Sequence, residues 1–231
     1  MTRDLDIISS ALIFEGLPEQ HLEQIKNVSV SENYPKGKII FMEQDEGNGF
    51  YLVAEGRVKI FKVSPSGKEQ ILHVFGPGEP FGEVPVFSGR RFPANAETIR
   101  KSRLLFFPRT AFLGMITSHP SLALNMLAVL SMRLRQFTQQ IENLSLKEVP
   151  ARLAAYLLYL STEQESEDSI TLDISKGQLA SLLGTIPETL SRILNRMNKQ
   201  GLIETKDRTI RLLNREGLES LSIDGKKNEV T

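Results

Sequence analysis

The segment that most restricts the fold of this chain is residues 175–213, whose pattern is two short helices followed by two short strands. Ser175 and Gln178 have the spacing of a capping box at the start of the first helix. Gly184 is predicted to end that helix, and Thr185 to cap the second one. Two helices joined by a three- or four-residue turn that contains glycine form a helix-turn-helix.

The outward face of the second helix carries residue types that recognise bases in the major groove of DNA. Arg192 can donate to guanine O6 and N7, Glu188 can accept from a cytosine amino group, and Ser191 can do either. A surface ion pair between Glu188 and Arg192, four residues apart, is the simpler alternative, and it is compatible with base recognition. The predicted DNA-binding set also includes Pro187, Thr189 and Arg196 on the second helix, and Ser175 and Lys176 on the first.

The two strands after these helices predict a basic hairpin. Residues 201–213 alternate around Lys206-Asp207-Arg208, so we expect Lys206 and Arg208 to contact phosphates as part of a wing. Residues 175–215 hold eight basic and three acidic residues in a chain whose net charge is zero. This local excess favours a polyanionic partner. On charge alone, a solvated surface is an equally good explanation.

Residues 34–107 have a different pattern, in which short apolar runs are separated by turn residues. Nine of the 16 glycines lie between Gly37 and Gly89. Strands are predicted at 38–41, 49–54, 57–63, 70–75 and 102–108. Many short strands at regular spacing predict a sandwich or barrel of about eight strands.

A long helical pattern follows, with an apolar row at alternating spacings of three and four residues. The row consists of Leu127, Leu130, Leu134, Phe137, Ile141 and Leu144. A single helix facing the core would explain an apolar row. A narrow seam on a helix about twice the usual length favours pairing with a second copy of the chain. We therefore predict a homodimer.

The predicted fold is α+β: an N-terminal β-rich domain, a long dimerisation helix and a C-terminal winged helix-turn-helix. The predicted domains are 1–117, 118–146 and 147–222, with residues 225–231 as a tail.

Cysteine is absent, which excludes disulfides and iron–sulfur clusters with cysteine ligands. No apolar run approaches 18 residues and no signal peptide is recognisable. We therefore expect a cytoplasmic protein without a membrane partner.

Residues 12–220 resemble transcription regulators of the cyclic AMP receptor protein/fumarate-nitrate regulator (CRP/FNR) superfamily. The resemblance rests on Gly82-Glu83 in a β-roll turn, Asn143-Leu144-Ser145 at the end of the long helix, and Glu188-Thr189-Leu190-Ser191-Arg192. The last motif is similar to that of the fumarate-nitrate branch. This resemblance implies that the chain binds double-stranded DNA at inverted repeats of a TTGA-type half-site. The chain also resembles regulators of nitrosative-stress and hybrid-cluster-protein genes. The family implies RNA polymerase as a further partner of an activator.

The resemblance implies that the N-terminal domain is an antiparallel β-roll of the cyclic-nucleotide-binding, cupin-like type, and that this roll contains an effector site. This chain departs from the cyclic AMP pattern. Cyclic AMP sensors have an Arg-Ser pair that binds the phosphate, and this chain has Phe92-Pro93 at the same place. The phenyl ring of Phe92 carries no charge, and Pro93 has no backbone N–H to donate. Phe137 stands where those sensors have a threonine that meets adenine. Cyclic AMP is therefore not the expected effector. The candidate effector residues are Gly82, Glu83, Val84, Arg90, Arg91, Phe92, Pro93 and Phe137.

The cofactor is left open at this point. Haem is a family option, with His73 and Met126 as candidate axial ligands, although a strand histidine and a packed methionine are ordinary structural residues. No metal site is predicted otherwise.

Two other function classes are disfavoured. A cupin-like enzyme needs clustered histidines, and no P-loop, dinucleotide fingerprint or serine elbow is present. A cyclic-nucleotide regulatory module would explain the β-roll but not the helix-turn-helix. The sequence therefore predicts a non-enzymatic, ligand-responsive, dimeric regulator that binds DNA.

Overall fold

The computed structural model describes residues 3–224, which divide into two compact units between Arg135 and Gln136. The helices of the first unit are α1 (Arg3–Ser10), α2 (Glu19–Val28), α3 (Val84–Ser88) and α4 (Arg109–Ser118), with a 3₁₀ turn at Leu12–Phe14. The long helix α5 (Ser121–Leu146) contributes residues to both units. Residues 225–231, predicted as a tail, lie outside the described part of the chain.

The first unit contains the predicted antiparallel β-roll. Its strands are β1 (Val30–Tyr34), β2 (Ile39–Phe41), β3 (Gly49–Glu55), β4 (Val58–Val63), β5 (Glu69–Phe75), β6 (Pro80–Phe81), β7 (Asn95–Thr98) and β8 (Ser102–Pro108). They form two four-stranded sheets, with the orders β1-β8-β3-β6 and β2-β7-β4-β5, in which all neighbours are antiparallel. The α+β fold and the number of strands in the roll are confirmed.

Two apolar clusters form the core of the first unit, because alternate strand residues point to opposite faces of each sheet. One cluster packs the helices against a sheet and includes Phe14, Phe50, Phe107 and Phe112. The other contains Phe41, Phe75, Phe81 and Phe92 together with buried aliphatic residues of several strands. The first half of α5 is itself a core helix, since Leu122, Met126 and Val129 are buried in the first cluster.

The second unit contains the predicted winged helix-turn-helix. Its helices are α6 (Val149–Glu163), α7 (Lys176–Leu182), α8 (Pro187–Lys199) and α9 (Arg215–Asp224). A small antiparallel sheet has the order β10-β11-β9, with β9 at Ser169–Thr171, β10 at Ile203–Lys206 and β11 at Thr209–Leu212. The buried side of α8 consists of Leu190, Ile193, Leu194 and Met197.

Within residues 3–224, no single helix is both long and apolar enough to cross a bilayer. The combined stretch of α4 and α5 reaches that length and apolarity only as a pair bent by 115°.

Candidate DNA-binding and effector sites

The turn between α7 and α8 shows how the chain presents the second helix. Ser175 and Gln178 form the predicted capping box, in which the Gln178 N–H donates to Ser175 Oγ at 3.2 Å. The prediction that Thr185 caps α8 is wrong, because α8 begins at Pro187 with Ile186 at the N-cap and no side-chain cap. The Thr185 N–H instead donates to the Ala180 carbonyl at 2.9 Å. With Gly184 at φ +66°, this is the Schellman closure of α7.

The first turns of α8 expose the predicted base-recognising residues. Pro187, Glu188, Ser191, Arg192 and Arg196 are exposed, and Thr189 is half-buried. In the described part of the chain, Glu188 and Arg192 form no ion pair. Arg192 Nη2 donates to Thr189 Oγ1 at 3.1 Å, and Ser191 Oγ donates to the Pro187 carbonyl at 2.8 Å. The guanidinium is therefore oriented by a neighbouring hydroxyl and not by a carboxylate.

The hairpin of β10 and β11 has the basic tip that the sequence predicts. Lys206, Asp207 and Arg208 are exposed at the turn, where Asp207 has φ +54°. Across the two strands, Arg211 Nη1 donates to Glu204 Oε2 at 2.9 Å. Lys206 and Arg208 are thus charged groups at the tip of a two-stranded antiparallel hairpin. At the start of α7, Lys176 is also exposed.

A basic groove of about 430 Å³ lies between the start of α6 and α8. It is lined by Glu148, Val149, Pro150, Arg152, Thr189, Arg192, Ile193 and Arg196. Arg152 was not predicted as a site residue. The sequence feature that could have indicated it is a single cation within the otherwise apolar sequence of α6. Arg152 Nη1 donates to the Leu144 carbonyl at 3.3 Å, while its buried Nε has no hydrogen-bond partner. Burial lowers the pKa of Arg152, because the charged form loses hydration.

The predicted seam of α5 is largely exposed on the single chain. Leu134 is 68% exposed and Ile141 65%, and Leu127, Phe137 and Leu144 are also exposed. Leu130 differs, because it is half-buried against the core of the first unit. An exposed apolar row of this length on one helix is typical of a surface that another helix covers.

In the β-roll, the turn after β6 is joined to α5 by a buried ion pair. Glu83 pairs with Arg133 Nη1, and Arg133 Nη2 donates to the Pro80 carbonyl. The guanidinium also lies 4.9 Å from the centre of the Phe75 ring. Arg133 was not predicted as a site residue. Its only signal was a cation within the otherwise apolar first half of α5.

The other candidate effector residues do not form one cavity. Phe92 is 4% exposed within the core, whereas Val84, Arg90, Arg91 and Pro93 are exposed. Arg91 donates outward, to the Gln44 carbonyl at 2.8 Å and to Glu46 at 3.1 Å. Phe137 belongs to the second unit. The two arginines offered as replacements for the phosphate ligands are therefore on the surface of the roll.

The residues around His73 and Met126 do not fit a haem. His73 on β5 faces Glu79, with Nε2 3.7 Å from Oε1, and its ring packs edge-on against Phe75. Met126 is 3% exposed inside the other core cluster, where its sulfur is enclosed by apolar side chains. Within residues 3–224, no three histidine, aspartate or glutamate side chains are grouped as metal ligands.

Two family models match the chain, namely Cyclic nucleotide-binding domain at residues 31–119 and Crp-like helix-turn-helix domain at residues 151–221. The chain is 32% identical over 198 residues to the Cyclic AMP receptor protein of Thermus thermophilus, covering 86% of this chain and 90% of that protein. It is 28% identical over 221 residues to the Fumarate and nitrate reduction regulatory protein of Escherichia coli, covering 93% and 88%. The structure of FixK2 from Bradyrhizobium japonicum is similar, with a TM-score of 0.76 and 26% identity over 84% of this chain and 97% of that one.

Proposed function

Because the chain belongs to the CRP/FNR family of transcription regulators, we propose that it acts as a homodimer that recognises an inverted-repeat DNA site through the exposed face of α8. The helix-turn-helix favours this function over a regulatory module or a cupin-like enzyme, and we propose no enzymatic activity. The observation that carries the proposal is the arrangement of α8. Its apolar side is buried while Glu188, Ser191 and Arg192 face outward near its start, where a recognition helix contacts base edges.

Phosphate contacts would come from the cations around that helix. Lys176, Lys206 and Arg208 are exposed, and Arg152 and Arg196 line the groove beside α8. Contacts to phosphate hold a recognition helix in register but carry no sequence information, whereas base contacts specify. We therefore assign sequence recognition to Glu188, Ser191 and Arg192, and expect half-sites of the TTGA type.

Dimerisation through α5 would supply a second recognition helix, which would bind the second half-site of the DNA. The exposed row that includes Leu134 and Ile141 would be buried between two copies of the helix. A symmetric dimer would place its two recognition helices about 34 Å apart, one turn of DNA. This geometry matches an inverted repeat.

Regulation is proposed to be a shift between two populations of the dimer. Residues 1–117 would form the sensor domain, 118–146 the dimerisation helix and 147–222 the DNA-binding domain. A change at the turn that contains Glu83 would reach α5 through Arg133. It would then alter the end of α5 from Asn143 onward and the short connection between Leu146 and Val149, where α6 begins. The proposed location is the cytoplasm, with RNA polymerase as a partner where the operator position allows activation.

The test compares two variants on operator and scrambled DNA at several salt concentrations. Loss of one arginine–guanine contact costs about 1–3 kcal/mol per half-site, so Arg192→Ala should nearly abolish specific binding and leave non-specific binding intact. Arg208→Ala should weaken binding to both DNAs and reduce the salt slope by about one unit per half-site. Lys68→Ala, which removes an exposed cation of the first unit in the turn between β4 and β5, is the control and should bind as the wild type does.

Equal weakening of both DNAs by Arg192→Ala would remove the base-recognition role from this face of α8. Failure of the wild type to select any sequence from a random DNA pool would contradict the proposed function as a whole.

A further inference from the structure

One aromatic ring of the chain occupies the interior of the β-roll like a bound ligand. Phe92 follows α3 in an irregular segment, yet its side chain is buried. Its ring lies parallel to the ring of Phe41, with centroids 3.7 Å apart and planes inclined by 5°. Phe81 also packs on Phe41, with ring centroids 6.2 Å apart. A planar ring is thus stacked in an aromatic slot.

The slot fits this ring closely and leaves no room for a second one. A Cβ added to Gly82, which has φ +75°, would lie 3.3 Å from the Phe92 ring and 3.2 Å from Phe41. A Cβ added to Gly47 would lie 3.0 Å from the tip of the same ring and 2.4 Å from Pro85. Two segments that are distant in sequence, 41–47 and 81–85, therefore close around Phe92.

The backbone holds the ring in place. The Phe92 N–H donates to the Asp45 carbonyl at 3.0 Å, and the Gln44 N–H donates to the Phe92 carbonyl at 2.9 Å. Arg91 adds a hydrogen bond to the Gln44 carbonyl on the outside of the same loop. These backbone bonds fix the position of residue 92 beside Phe41, and the buried ring fills the slot from there.

The slot is continuous with the ion pair that holds α5. A side chain at Gly82 would meet the Phe92 ring, and the next residue, Glu83, is buried and pairs with Arg133 of α5. If the ring left, the Gly82-Glu83 turn would lose the packing that sets its position. The Phe92 ring therefore lies beside Gly82, and the adjacent residue Glu83 joins the same turn to α5 through its ion pair with Arg133.

We propose that Phe92 is an internal effector. It fills the slot and holds Glu83 against Arg133, so that specific DNA binding requires no small molecule. A ligand that acts within the roll must displace Phe92 and consequently releases DNA. The chemical class that fits a slot built around Phe41 is a planar apolar ring. This inference rests on the proposed DNA-binding function and adds the direction of its regulation.

The first experiment removes bound small molecules. The full chain is unfolded in urea, dialysed and refolded, and its operator affinity is compared with that of the native preparation. We expect the two affinities to agree within about twofold, or about 0.4 kcal/mol. A loss of about tenfold or more that a protein-free cell extract restores would overturn the proposal. If neither preparation selects any DNA, the proposed function has failed instead.

The second experiment makes the internal effector replaceable. Phe92→Ala leaves an apolar cavity, and such cavities bind benzene. We expect the variant's operator affinity to fall by about tenfold, or about 1.4 kcal/mol, and to return when benzene is added. The matched control is Phe107→Ala, which removes one buried ring from the other core cluster. Below its melting temperature, it should bind operator as the wild type does, with or without benzene.

Phe92→Leu keeps an apolar side chain without a ring, and serves if the alanine variant does not fold. We expect it to bind operator more weakly than the wild type. A folded Phe92→Ala or Phe92→Leu variant with wild-type operator affinity would refute the internal effector. Equal benzene rescue of both alanine variants would show that Phe92 contributes only to stability.

Discussion

The ion pair between Glu83 and Arg133 yields the most direct energetic test of the link between the β-roll and α5. The side chains are 9% and 14% exposed, respectively, so both charges are largely removed from water. Arg133→Met keeps most of the apolar length and removes the guanidinium. The substitution leaves the Glu83 carboxylate and the Pro80 carbonyl without this donor, and it removes the cation beside the Phe75 ring.

The magnitude is dominated by the unpaired carboxylate. Removal of one partner of a buried ion pair costs about 3–5 kcal/mol, and an unsatisfied buried carbonyl costs about 1–3 kcal/mol. These costs overlap, because water that reaches Glu83 also reaches Pro80. We expect Arg133→Met to lower the free energy of unfolding of the first unit by about 3–5 kcal/mol. The double variant with Glu83→Gln should cost less than the sum of the single variants, by about 1 kcal/mol or more.

The assay is urea unfolding followed by far-ultraviolet circular dichroism, since the chain contains no tryptophan. The two units can unfold separately, so the curve is fitted with two transitions. A cost below about 1 kcal/mol for Arg133→Met would show that the pair is solvated and not buried. Single-variant costs that add within about 0.5 kcal/mol would show that the two residues are not coupled.

Three further predictions concern the dimer, the effector and the pH dependence of stability. Leu134→Glu combined with Phe137→Glu places like charges in the seam of α5, so light scattering should show a monomer that no longer binds operator; a dimer that persists would place the interface elsewhere. Calorimetry with cyclic AMP at physiological salt should show no binding, because Phe92 fills the interior of the roll; micromolar affinity with a gain in specific DNA binding would contradict this. The third prediction concerns Glu79: burial raises its pKa, but hydrogen bonds from His73 and from the Gly76 N–H outweigh burial and lower it. Its contribution to stability is therefore present above the unfolded-state pKa of about 4.3 and is lost as the pH falls. Urea unfolding at several pH values should show that the Glu79→Gln variant loses less stability on acidification than the wild type. An unchanged pH profile would show that Glu79 does not contribute to the pH dependence of stability.

The features predicted correctly from the sequence are those set by neighbours within about four residues. The capping box at Ser175, the apolar side of α8 and the hairpin around Asp207 all follow from local spacing, because capping, helical and strand periodicities are short-range. The long row on α5 is of the same kind. These patterns are sufficient for the long helix, the helix-turn-helix and the hairpin after it, and for the α8 face predicted to contact DNA.

A local pattern gave a wrong prediction at Thr185, where the end of one helix and the start of the next involve the same residue. Thr185 has a side chain suited to capping α8, but its N–H closes α7 after Gly184. The closure of α7 uses a backbone group that any non-proline residue has, so the side chain at 185 indicated the wrong helix. Ile186 consequently occupies the N-cap of α8 without a side-chain hydrogen bond.

Tertiary structure alone decided the parts of the roll that depend on distant partners. The polar strands β1 and β7 have no apolar alternation; they are strands because their backbones pair with β8 and with β2 and β4. The sequence likewise contains no sign that Phe92 stacks on Phe41 or that Arg133 meets Glu83, since about 50 residues separate each pair. Such contacts form only when the sheets close, and burial then makes a ring fill a slot and a charge require its counter-ion.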